Sequence, residues 1–100
     1  MEKEMIYKKA LSKYGIELQM LVCIEECSEL IKALTKYRRI GIDQEYEECG
    51  NLVKNIAEEI ADVKIMIEQV TMALDIYGEV NQQQMFKLER LEHRLYEWRI

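Results

Sequence analysis

One hundred residues carry a net charge of −5, with four glycines, no proline and one-third charged side chains. Such an acidic chain lacks the basic footprint of a nucleic-acid polymer binder, and a phosphate ligand would need a divalent cation between itself and the protein. No run approaches the roughly 18 apolar residues of a bilayer span, and the N-terminal MEKEMIYKK lacks the apolar core of a signal peptide. A single domain over residues 1–100, in the cytoplasm and away from membranes, is expected.

Glu, Lys, Leu, Met and Ala dominate, all good helix formers. Before Tyr14-Gly15, the spacing of Met5, Ile6, Ala10 and Leu11 predicts a short amphipathic helix. From Ile16 to about Arg39 no breaker occurs, and Leu18, Leu21, Val22, Ile24, Leu30, Ile31 and Leu34 are too dense for a one-sided helix. That helix should be contacted on more than one side. Gly41 to Gly50 is polar, acidic and glycine-bounded, which predicts a connecting loop with room for one helical turn.

A second long helix is predicted from about Asn51 to Tyr77, with Gly78 as its stop, and a last one from about Val80 to Trp98. Apolar positions in the second long helix follow three-and-four spacing rather than alternation, so its β-branched residues do not make it a strand. The expected fold is therefore all-α. It is a helical bundle of two long antiparallel helices, a C-terminal helix and a short N-terminal one. Helices this long on so short a chain leave apolar surface on a thin body, which favours self-association.

Cys23, Cys27 and Cys49 form an odd set without a secretion signal, and they are expected to be reduced. With His93 as the one histidine, a zinc site would lack a fourth ligand, so these thiols are assigned to the core.

Chemistry concentrates in two acidic pairs. Glu26 and Glu29 lie three apart on the first long helix, and Glu59 and Asp62 repeat that spacing on the second. Residues three apart share a helix face. Val22, Cys23, Leu30 and Ala33 flank the first pair at helical spacing, and Ile56, Val63 and Met66 flank the second. Carboxylates within apolar stripes repel one another and are costly to bury without a counter-charge. One such pair would be ordinary surface; two on facing helices call for a cation. Four hard oxygen ligands suit Mg²⁺, with Mn²⁺ as a substitute. A di-iron bundle would need Glu-x-x-His motifs, which are absent.

The pattern Glu25-Glu26-x-x-Glu29, a variable connection and then Glu59-x-x-Asp62 resembles the signature of all-α MazG-like nucleoside triphosphate pyrophosphohydrolases. The flanks IEECSELIKAL and IAEEIADVKIMIEQV resemble that family too, as does the late segment FKLERLEHRL. The likeness runs from about Tyr14 onward. It implies Mg²⁺-dependent cleavage of a nucleoside triphosphate between its α- and β-phosphates, releasing a monophosphate and pyrophosphate. It also implies Glu26, Glu29, Glu59 and Asp62 as metal ligands and Glu25 in a supporting, water-orienting role. A homodimer or homotetramer would suit that work.

Several other residues are substrate-binding candidates. Lys32 and Lys36 follow Glu29 on its own side; they can contact phosphate, or pair with Glu29 and cap the helix end. Gln19 and Asn55 lie at helical spacing from Glu26 and Glu59 and project toward the metal face. Lys87, Arg90 and Arg94 form a basic stripe that either pairs with Glu89, Glu92 and Glu97 or reaches phosphate across a subunit boundary. Tyr96 and Trp98 can stack on a base or pack on a neighbour. The competing functional class is a catalytically silent helical interaction module that keeps the bundle.

Overall fold

The computed structural model describes residues 1–40 and 46–97, the side chains of 46–49 excepted. Four helices follow in chain order: α1 (Lys3–Tyr14), α2 (Ile16–Ile40), α3 (Tyr46–Leu74) and α4 (Tyr77–Glu97). The protein is all-α, a helical bundle in which α2 and α3 pack most closely. No described helix is long and apolar enough to cross a membrane.

Gly15 separates α1 from α2. Its φ of 83° with ψ of 159° lies where a Cβ is strained. Its N–H donates to the Leu11 carbonyl at 2.9 Å, and its own carbonyl accepts from the Gln19 N–H at 3.2 Å. One residue therefore closes one helix and opens the next.

α2 and α3 run antiparallel, since early positions of one meet late positions of the other. The Gln19 amide donates to Gln69 Oε1 at 2.7 Å, a buried bond across the hairpin. Val63, Met66 and Ala33 are buried along the hairpin, with Thr71 bonded back to the Ile67 carbonyl. α1 is held against α3 by Tyr7, whose hydroxyl donates to Glu68 Oε2 at 2.6 Å, and by a 3.1 Å ion pair from Lys3 to that same oxygen. Burial raises the Tyr7 hydroxyl to about 12, helped by its bond to the negative Glu68. The bonds from Tyr7 and Lys3 hold Glu68 below the ordinary carboxylate value.

Two helix limits differ from the sequence-based expectation. α3 begins at Tyr46, so the helical turn allowed for in the predicted loop is continuous with the long helix and Gly50 lies inside it. Gly50 sits in the helix at a penalty of roughly 1 kcal/mol. The remainder of that loop, 41–45, lies outside the described residues, as do the Cys49 side chain, expected in the core, and Trp98, expected to stack or pack. At the other end α3 stops at Leu74, not at Gly78. Asp75 takes a left-handed φ of 54°, its N–H bonds the Met72 carbonyl and the Ile76 N–H bonds that of Thr71. Those two bonds make a Schellman termination, with an aspartate where glycine is commonest. Gly78 falls in the first turn of α4.

The expectation that α2 is contacted on several sides is not met within one chain. Leu18, Leu21, Ile24, Ile31 and Leu34 are exposed. Among the described residues α4 packs against no helix but α3, and none of its side chains is buried. Cys23 and Cys27 are half-buried, less enclosed than a core assignment implies.

Candidate metal centre

The hairpin register decides which acids meet. Glu26 of α2 faces the stretch of α3 that carries Glu59 and Asp62, and one carboxylate oxygen from each of the three lies within 4.8 Å of the others. Glu26 and Glu59 are half-buried and Asp62 is exposed. Glu59 Oε2 is buried without a hydrogen-bond partner. A carboxylate oxygen withdrawn from water and left unpaired is among the costliest arrangements in a fold. The pKa of Glu26 is raised by its own desolvation first, then by the negative charges of Asp62 and Glu59, by a hydrogen bond with Asp62, and least by Glu29. Three converging oxygens, one of them orphaned, fit a hard divalent cation with open positions left for other ligands.

Glu29, the fourth acid of the sequence pattern, is exposed and does not belong to this close group. It lies a turn further along α2, on the rim of the contact with α3. Its charge reaches Glu26 all the same. Glu25 is exposed, about a quarter-turn from Glu26. Lys32 is exposed beside Glu29 without an ion pair among the described residues.

Lys36 and Asn55 come together. With Ile40, Asn51 and Leu52 they line a cleft of about 460 Å³ beside the α2–α3 connection. Gln19 does not join the acids. It is 6% exposed, and its amide is committed to Gln69. Gln69 carried no signal in the sequence beyond its place in an apolar stripe, and the Tyr7–Glu68–Lys3 cluster, spanning most of the chain, carried none. Asn51 could have been found, since it lies one turn before Asn55 on the same face.

Lys87 and Arg90 stand on α4, exposed and away from the acid group. Together with Arg94 they form no ion pair with Glu89, Glu92 or Glu97 among the described residues, so the expected salt-bridged stripe is absent. Residues that alternate in sign on one helix gain little from pairing in water, typically under 1 kcal/mol.

No family model, curated protein or solved structure matches this chain.

Proposed function

We propose that the chain is a Mg²⁺-dependent nucleoside triphosphate pyrophosphohydrolase that works as a homodimer or homotetramer in the cytoplasm. The observation that carries the proposal is the orphaned, buried Glu59 Oε2 within a trio of carboxylates from two facing helices. The MazG-like pattern of Glu25, Glu26, Glu29, Glu59 and Asp62 supplies the reaction.

A bound Mg²⁺ would neutralise phosphate charge and align the α–β bond for in-line attack by water. Glu26, Glu59 and Asp62 would hold the cation, and Glu29 would complete the set by rotating inward. Glu25, at the edge of the group, would orient the attacking water. Lys32, exposed beside Glu29, would contact a phosphate.

A second reading has its own observation. The bare apolar side chains of α4, among them Met85, Phe86, Leu88 and Leu91, suit a catalytically silent interaction module. One experiment separates the two. Pyrophosphate release is measured from ribo- and deoxyribonucleoside triphosphates, with Mg²⁺ and with chelator, for wild type and Glu59→Gln. The enzyme requires metal-dependent release that the variant lowers by about a hundredfold or more. Absence of release from every triphosphate would leave the interaction module.

A further inference from the structure

We propose that the cleft lined by Lys36, Ile40, Asn51, Leu52 and Asn55 receives the nucleobase end of a nucleotide, an inference that rests on the metal reading of the adjacent acids. The cleft and the acids lie along one side of the hairpin. Asn51, Asn55 and Glu59 succeed one another at four-residue intervals on α3, so Asn55 is about 6 Å and Asn51 about 12 Å along the axis from Glu59. A ribose and its first phosphate bridge such a gap.

The lining chemistry selects one end of the nucleotide. A lone lysine cannot balance a triphosphate, whose charge belongs with a cation at Glu26, Glu59 and Asp62. Two carboxamides, each with two donors and an acceptor, match instead the alternating donors and acceptors on the edge of a base. Neither carboxamide is engaged by another described residue. Ile40 and Leu52, both half-buried, supply apolar walls for the flat faces of the ring. About 460 Å³ lies within the range of small-ligand pockets. Lys36 adds a donor for a base carbonyl or a ribose oxygen.

The test is titration calorimetry in Mg²⁺ with non-hydrolysable analogues of the common nucleoside triphosphates and with inorganic tripolyphosphate, which has no base. Wild type is compared with the double variant Asn51→Ala, Asn55→Ala; both positions are exposed, and circular dichroism confirms that the helices persist. Wild type should bind at least one analogue about tenfold more tightly than tripolyphosphate. In the double variant that preference should shrink to about twofold, with tripolyphosphate affinity unchanged. Equal affinity for both ligands in wild type, or an undiminished preference in the double variant, overturns the base site. The two proposals fail separately. Mg²⁺-dependent tripolyphosphate binding without a nucleotide preference removes the cleft and keeps the metal. An asparagine-dependent preference that persists in chelator removes the metal and keeps the cleft.

Discussion

Glu59 places a charge where the metal-free fold gains nothing from it, because its Oε2 is buried beside two other carboxylates with no donor in reach. Glu59→Gln removes that charge while keeping the shape. The variant should therefore melt a few degrees higher than wild type in chelator, since about 1 kcal/mol moves a domain of this size by roughly 4–8 °C. Wild type should gain further stability on adding Mg²⁺, and the variant should not; calorimetric scans with and without metal read both effects. A lower melting temperature for the variant in chelator would mean that the carboxylate is stabilised by something other than a cation. Tyr7 and Glu68 form the second residue-scale device. Tyr7→Phe should cost about 1 kcal/mol, a modest value because Glu68 is partly exposed. The pH window follows from the two shifts. Glu68 sits below its ordinary 4.5, so the stability it adds is present above that pH and is lost as pH falls through its lowered value. Tyr7 is raised from 10.0 to about 12, so its contribution is full below pH 10 and disappears as pH climbs through 12. Chemical denaturation across pH should show Tyr7→Phe losing the alkaline dependence and weakening the acid one, part of which Lys3 still sustains.

At the scale of elements, two glycines of opposite meaning make a paired test. Gly15 has a φ of 83° at the α1–α2 junction, whereas Gly50 lies within α3, where an added Cβ would meet nothing within 4 Å. Gly15→Ala should cost about 1–3 kcal/mol. Gly50→Ala should stabilise by about 0.5–1 kcal/mol. Urea unfolding of both variants measures the pair, and the same sign for the two would contradict the assigned backbone. These positions also show what the sequence could tell. The break at Gly15 was visible because glycine after a tyrosine-ended amphipathic run is a strong local signal. The start of α3 was hidden because Gly50 and its acidic neighbours resemble a loop, while the decision to continue the helix comes from packing further along α3. The end at Asp75 was missed in favour of Gly78 because aspartate adopts the left-handed conformation less often than glycine. For the site, three-residue spacing exposed both acidic pairs. It could not say that Glu29 stays on the rim while Glu26, Glu59 and Asp62 converge, nor that Gln19 turns to Gln69. Those outcomes depend on the register between two helices, and spacing within one helix carries no information about it.

The whole molecule is larger on the outside than its mass requires. A folded 12.0 kDa chain is expected to expose about 6,000 Å², yet this one exposes 8535 Å². Its radius of gyration is 17.4 Å, against about 13 Å for a compact 100-residue domain. The excess of about 2,500 Å² is several times the roughly 800 Å² that each partner buries in a stable complex. Exposed apolar side chains on α2, α3 and α4 supply that surface. Sedimentation equilibrium at micromolar concentration should return two or four times 12.0 kDa. A monomer at that concentration, free of aggregation, would contradict the proposed assembly.

The buried amide pair between Gln19 and Gln69 has a consequence for folding. Two long apolar helices can slide past each other by a turn with little change in hydrophobic contact, since leucine, isoleucine and valine recur along both. A slip of one turn would bring Glu26 level with Met66 or Glu58 and would leave two carboxamides dry and unmatched. Each stranded amide costs about 1–3 kcal/mol, enough to depopulate the slipped hairpin by an order of magnitude or more. Two uncharged side chains distant from the carboxylates thus discriminate among nearly degenerate alignments and determine which acids meet.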